Sequence, residues 1–201
     1  MSKKVAHIIS IIFHPFLIPS LGFFLLMKST GYMAFIPPKY KQLILLITFF
    51  TTCVLPILTL AVMSIWSKFS MSMTTARERL FPLLLTACFY YLGYTMLGRI
   101  PVSGIFRIYL LAAMMVILLT LMISTFWKIS LHMAGIGGLL GAILALAFRF
   151  ALNPIAVIIG MIVACGLVGF SRIYLEKHNP AQVYTGFGLG VSVMYLIVYF
   201  I

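Results

Sequence analysis

Acidic side chains are nearly absent from this chain of 201 residues, which contains only Glu78 and Glu176. Carboxylate-pair hydrolysis, calcium sites and acidic proton-relay chains are disfavoured, because each needs carboxylates grouped in one place. Cysteine is also scarce. Cys53, Cys88 and Cys165 lie within apolar stretches and are odd in number, which supports neither a disulfide framework nor a zinc site.

Charged residues of either sign are few, at 8% of the chain, while 64% of the residues are apolar. Soluble domains average about 25% charged and about 45–50% apolar residues, so this chain lacks the polar surface that would cover a folded body in water. The sequence therefore predicts an integral membrane protein.

Seven long apolar runs occupy most of the sequence. A bilayer crossing needs about 20 apolar residues, so the chain has room for six to seven transmembrane helices and for no separate soluble domain. We expect a single all-α, polytopic membrane domain over residues 1–201. The runs cover residues 5–27, 42–66, 82–98, 106–127, 133–150, 154–170 and 182–201.

The first apolar run is interrupted by His14-Pro15 and by Pro19. Its basic start is typical of a signal peptide, but no small-x-small cleavage pattern follows it. We expect it to be retained as a broken span or an interfacial helix. His7 and His14 lie in this run, and we interpret both as packing residues.

Basic residues outnumber acidic ones by fourteen to two, for a formal net charge of +12. The cations are scattered between the apolar runs, without a basic tail or stripe, so we expect no nucleic-acid partner. Membrane lipids and phosphate are the expected anionic partners. We expect a multi-pass protein of a bacterial inner (cytoplasmic) membrane.

Two pairs of glycines are spaced four residues apart within apolar runs: Gly137 with Gly141, and Gly186 with Gly190. This spacing lets helix backbones approach closely in lipid. We interpret all four as helix-packing positions.

Three polar clusters, at residues 77–79, 128–132 and 171–178, are each separated from the next by two apolar runs. Two crossings return a chain to the side of the membrane where it began. All three clusters are therefore expected at one membrane surface, where ionisable groups that are costly in lipid can share a polar cavity.

The third cluster carries the most chemical information. Arg172 offers a planar fork of donors suited to phosphate, and His178 can act as a nucleophile or proton carrier near neutral pH. Asn179 and Pro180 predict a helix N-cap and first helical position, which makes Gln182 the third. His178 is then expected just outside a helix N-terminus, where backbone donors favour an anion.

The stretch SRIYLEKHNPAQ resembles the third motif of the type 2 phosphatidic acid phosphatase superfamily. That motif is Ser-Arg, five residues, His, three residues and Asp, followed by an apolar helix. Ser171, Arg172 and His178 match it, and Gln182 stands where the family has Asp.

Two further stretches are similar to the other motifs of that family. Ser130 and His132 correspond to the Ser and His of Pro-Ser-Gly-His before a glycine-rich helix, without its Pro and Gly. Residues 77–82, Arg-Glu-Arg-Leu-Phe-Pro, echo the Arg-Pro end of the first motif without its Lys. The resemblance covers residues 77–200 as a phosphatase-like core, preceded by two N-terminal hydrophobic segments in residues 1–66.

The resemblance implies a metal-independent lipid phosphatase that needs no cofactor and acts on a phosphomonoester or pyrophosphate of a lipid headgroup. The lipid is left open among phosphatidate, a polyprenyl pyrophosphate and a lipid A-type glycolipid. The resemblance makes His178 the nucleophile that forms a phosphohistidine and His132 the proton donor to the leaving group, with Gln182 orienting His178. The implied phosphate-binding residues are Arg172, Ser130 and Arg79, with Arg77, Lys128 and Ser171 as further candidates.

Alternatives remain beside this interpretation. Because Gln182 cannot supply the charge of an Asp, the chain could be a catalytically weakened relative that binds phosphorylated lipid or serves as a subunit of a membrane complex. His132 and His178 could instead ligate a haem, although haem ligands normally lie inside the spans. Arg77 and Lys128 could be simple interfacial anchors.

Overall fold

The computed structural model describes residues 2–28, 35–65, 76–101 and 104–201, and within residues 76–79 it describes the backbone only. The described residues form helices and turns, with no strand, so the all-α prediction is confirmed. A π-helical turn at Phe50–Val54 joins α3 to α4 in one continuous helix. The helices are α1 (Lys3–Ile12), α2 (Ile18–Lys28), α3 (Pro38–Phe49), α4 (Leu55–Ile65), α5 (Ala76–Leu97), α6 (Gly104–Ser124), α7 (Leu131–Arg149), α8 (Ile155–Tyr174) and α9 (Pro180–Phe200).

Six helices of the described chain are long and apolar enough to cross a membrane: the continuous helix Pro38–Ile65 and one in each of α5 to α9. They coincide with the last six apolar runs of the sequence. The first run is divided into the short helices α1 and α2 by a break at residues 13–17, which contains Pro15. The protein is therefore a multi-pass helical membrane protein with six candidate spans and a broken N-terminal segment.

The closest helix pair is α7 with α9, which pack through the four glycines singled out in the sequence. A Cβ atom on Gly137 would lie 2.7 Å from the carbonyl oxygen of Phe187, and one on Gly186 would lie 2.6 Å from the carbonyl oxygen of Ser130. Real Cβ atoms do not approach a backbone so closely, so these positions require glycine. The prediction that these glycines serve helix packing is confirmed.

Helices α7 and α9 run parallel. At one end the backbone N–H of Ser130 donates to the carbonyl of Gln182, and at the other Arg149 Nη1 donates to the carbonyl of Val198. The N-terminus of α7, with His132, and the N-terminus of α9, preceded by His178, therefore lie at the same end of the bundle. The second and third polar clusters therefore lie at one end of the bundle, which agrees with their predicted placement at one membrane surface.

Candidate functional site

A cavity of about 410 Å³ opens among seven helices at the end of the bundle where α7 and α9 begin. Its charged and imidazole side chains are Arg172, His178, His132 and His14. The remaining lining residues are mostly apolar and come from the α1–α2 break and from α2, α4, α5, α6, α7 and α9. Those residues include Ile18, Leu60, Leu83, Tyr90, Tyr109, Val116, Leu139 and Met194.

The turn between α8 and α9 brings Arg172 and His178 to the same cavity. The carbonyl of Arg172 accepts the backbone N–H of Lys177 at 3.1 Å and of His178 at 3.4 Å, and the N–H of Glu176 donates to the carbonyl of Ile173. Glu176 has φ 54°, the left-handed conformation that ends a helix in a Schellman motif. The five residues between Arg172 and His178 are thus the length of a helix C-cap that folds the histidine back to the arginine.

The start of α9 fixes the orientation of His178. Asn179 and Gln182 form a reciprocal capping box, with Pro180 at the first helical position, as the sequence predicts. Gln182 Oε1 accepts the backbone N–H of Asn179 at 3.4 Å, so the amide presents its oxygen to His178 Nδ1 at 2.9 Å. Because an amide oxygen only accepts, Nδ1 carries the proton, and in the neutral ring the lone pair is at Nε2.

His132 lies in the first turn of α7, and its Nε2 is 3.1 Å from the backbone carbonyl oxygen of Ser10 in α1. A carbonyl oxygen accepts hydrogen bonds and donates none, so Nε2 carries the proton and the lone pair of the neutral ring is at Nδ1. The two histidines of the family-like motifs therefore present opposite tautomers.

His14 is the imidazole of this site that sequence reasoning missed. The packing interpretation holds in that its ring lies 5.4 Å from the ring of His132, edge to face, but His14 also lines the cavity. His7, by contrast, is exposed on α1, so the packing interpretation is wrong for it. The available signal was the His14-Pro15 pair, because a break in an apolar run leaves backbone that must line protein or a cavity.

The electrostatics of the cavity favour an anion. The guanidinium of Arg172 interacts electrostatically with His14 and His132. No Asp or Glu lines the described cavity. Burial, followed by the positive charge of Arg172, lowers the pKa of His14 below its ordinary value of 6.5. An anion bound beside these groups would offset both the charge of Arg172 and the cost of burying it.

The structure places several sequence-predicted phosphate ligands away from the cavity. The hydroxyl of Ser171 donates to the carbonyl of Leu167 at 2.7 Å within α8. Ser130 is buried against α9, and Lys128 is exposed; neither lines the cavity. Arg77 and Arg79 fall on the first turn of α5, where their side chains lie outside the described residues.

The first polar cluster, at residues 77–79, begins a helix whose next turns line the same cavity. Pro82, Leu83 and Thr86, on the turns of α5 that follow Arg79, all line the cavity. Their placement agrees with the prediction that the cluster at residues 77–79 lies at the same end of the bundle as the other two.

The interior of the cavity adds polar groups to apolar walls. Tyr90 and Tyr109, 3% and 2% exposed, line the cavity between α5 and α6. Thr120 also lines it and is fully buried, with a hydroxyl that has no hydrogen-bond partner among the described residues. Buried hydroxyls normally have hydrogen-bond partners, so a hydroxyl without one favours a site that receives a ligand or water.

The three histidines of the cavity do not form a metal site: among the described residues, no group of three or more His, Cys, Asp or Glu is arranged to hold a metal ion. Comparisons of the chain with protein-family models, with curated proteins and with solved structures give no match.

Proposed function

We propose that this protein is a membrane-embedded lipid phosphatase, placed in a bacterial cytoplasmic membrane, that acts on a phosphorylated lipid headgroup. One observation carries the proposal. A single cavity combines one guanidinium and three imidazoles, without a carboxylate among its described lining, with a largely apolar interior. A phosphorylated amphiphile is the ligand class that satisfies both parts, because phosphate pairs with the cations and its tail with the apolar walls.

Arg172 is suited to hold the phosphate, because its planar fork of donors matches phosphate oxygens and it is always charged. It reaches the cavity from the last turn of α8, and the turn that follows presents His178 beside it. Negative charge spread over the equatorial oxygens during phosphoryl transfer would be stabilised by this guanidinium.

The proposed reaction begins when the lone pair on His178 Nε2 attacks the phosphorus. A P–N bond forms, the P–O bond to the lipid alkoxide breaks, and the electron pair leaves with the alkoxide, which takes a proton from a water molecule. The hydroxide that remains then attacks the phosphorus of the phosphohistidine, the P–N bond breaks with its electron pair returning to Nε2, and inorganic phosphate is released. Gln182 supports the attack by holding the proton of His178 on Nδ1, at 2.9 Å.

The first test is phosphate release by the purified protein in nanodiscs, with EDTA present. The substrate panel contains phosphatidate, a polyprenyl pyrophosphate, a lipid A-type glycolipid and dodecyl phosphate. We expect release from at least one of them, unaffected by the chelator. We also expect an acid-labile phosphoenzyme when a reaction with labelled substrate is quenched. Absence of both release and phosphoenzyme on the whole panel would contradict the phosphatase proposal, and activity lost in EDTA would contradict metal independence.

A second candidate is a protein that binds phosphorylated lipid without turning it over, alone or as a subunit of a membrane complex. Two observations favour it. Gln182 holds His178 through a neutral amide, which cannot stabilise the positive charge that the ring acquires on attack. The Nε2 proton of His132 is engaged with the carbonyl of Ser10, so it does not point at a leaving group.

Gln182→Asp separates the two candidates. The carboxylate would accept the same proton from His178 and add the missing charge, so we expect turnover to rise by up to about 10⁴-fold, the effect of the equivalent carboxylate-to-amide change in reverse. The measurement is kcat on the best substrate of the panel. Gln182→Asn, with the same length as Asp and no charge, is the matched control, and equal rates in the two variants would contradict the charge argument.

A further inference from the structure

The break between α1 and α2 is held in place by hydrogen bonds. The carbonyl of His14 accepts the N–H of Leu17 at 2.8 Å, and the hydroxyl of Thr52 donates to the carbonyl of Phe16 at 3.4 Å. Thr52 lies in the π-helical turn. Its carbonyl lacks the usual helical partner, because Pro56, four residues later, has no backbone N–H. Two interruptions of regular helix thus meet and satisfy backbone groups of the break.

In a membrane protein, irregular backbone is tolerated where it lies within the protein or lines a cavity. His14, Pro15 and Phe16 line the cavity described above, and the α2 side of the break contributes Ile18 and Pro19. On α7, a Cβ built on Gly135 would lie 3.6 Å from both Pro15 and Ile18, so the break rests directly on the helix that carries His132. The N-terminal segment is therefore a wall of the site.

The local structure also fixes the tautomer of His14. The backbone N–H of Phe16 donates to His14 Nδ1 at 3.4 Å, so this nitrogen is unprotonated and Nε2 carries the hydrogen. His14 is consequently a neutral ring with one N–H donor. The equivalent donor of His132 is already engaged by the carbonyl of Ser10 at 3.1 Å.

We propose that His14 is a ligand-binding residue of this site, whose Nε2–H donates a hydrogen bond to a phosphoryl oxygen held by Arg172. The inference rests on the proposed function for the identity of the ligand, a phosphate monoester on an apolar chain. It assigns a direct role to the N-terminal segment, which lies outside the phosphatase-like core of residues 77–200.

The different hydrogen bonds of the three cavity imidazoles support this assignment. His178 offers a lone pair at Nε2, and His132 has its Nε2 proton on a backbone carbonyl. His14 is the histidine whose Nε2–H has no acceptor among the described hydrogen bonds, and it faces a cavity that contains a guanidinium. A hydrogen bond between this N–H and an anionic oxygen is charge-assisted and therefore stronger than one between neutral groups.

The test measures equilibrium binding of labelled dodecyl phosphate to the full chain in nanodiscs, a readout that does not depend on turnover. His14→Ala is expected to weaken binding about 10- to 100-fold, the effect of losing one hydrogen bond to a charged group. His14→Gln, whose amide nitrogen can occupy the place of Nε2, is expected to stay within about threefold of wild type, whereas His14→Asn, which lacks that reach, resembles alanine.

Two controls keep the result specific. His7→Ala, at an exposed histidine of the preceding helix, should bind like wild type, and dodecanol, which lacks the phosphate, should distinguish none of the variants. Each variant is first checked for a monodisperse size-exclusion profile. If His14→Ala shows poor dispersity, His14→Gln against His14→Asn supplies the comparison.

The outcomes separate this inference from the proposed function. Binding by wild type that is unchanged in both His14→Ala and His14→Asn overturns the role of His14 and leaves the phosphatase proposal standing. Wild type that neither binds dodecyl phosphate nor releases phosphate from any lipid overturns both. Binding without release, sensitive to His14, supports the inference within the second candidate function.

Discussion

Replacing Gly190 by alanine is expected to destabilise the protein by about 3 kcal/mol, the upper end of the usual range for over-packing. A Cβ atom at this position would overlap the carbonyl oxygen of Ala134 and lie 2.7 Å from the backbone nitrogen of Gly138. These are backbone atoms of α7, so no side-chain rotation relieves the overlap. The two helices would have to move apart along the closest contact in the structure.

Gly188 is the matched control for this substitution. It lies two residues earlier on α9, is exposed, and has nothing within 4 Å of an added Cβ. Gly188→Ala removes backbone freedom from the unfolded chain without a clash, so we expect no loss of stability and a gain of up to about 1 kcal/mol.

The measurement is thermal unfolding of both variants in the same detergent, followed by intrinsic fluorescence and by size exclusion. Gly190→Ala is also expected to weaken dodecyl phosphate binding, because the contact of α7 with α9 sets the positions of His132 and of the turn that carries His178. Equal unfolding temperatures for the two variants would contradict the close packing of these helices.

Much of this contact and of the adjoining turn could be predicted from the sequence, because the signals are local. Asn179, Pro180 and Gln182 specify a helix start within four residues, and the helix begins where they predict. Glycines spaced four apart mark a helix face regardless of what lies opposite. The order of the apolar runs then determines which helix ends share a membrane surface.

The composition of the cavity wall could not be predicted in the same way. Successive residues of a helix point about 100° apart, so the rotation of α8 that faces Arg172 into the cavity turns Ser171 back onto its own helix. That rotation depends on packing against α1 and α7, not on the motif. His14 likewise joins the site only because the broken segment folds against α7, a contact more than a hundred residues away in sequence.

The second large effect is expected at His178. Substitution by alanine removes the only protein side chain that forms a bond to phosphorus in the proposed reaction, so we expect phosphate release to fall by at least about 10³-fold and the phosphoenzyme to disappear. The Schellman turn that precedes the residue uses backbone groups only, and the capping box of Asn179 with Gln182 does not need the imidazole. We therefore expect little change in stability.

Two comparisons distinguish loss of a nucleophile from loss of the site. His178→Ala should still bind dodecyl phosphate, because Arg172 and His14 remain, and added imidazole should restore part of its activity by supplying the missing lone pair inside the cavity. His7→Ala should retain full activity, since that histidine is exposed on α1. Phosphate release by His178→Ala at the wild-type rate would remove His178 from the mechanism. It would also remove the proposed role of Gln182, which is to hold the proton of His178 on Nδ1.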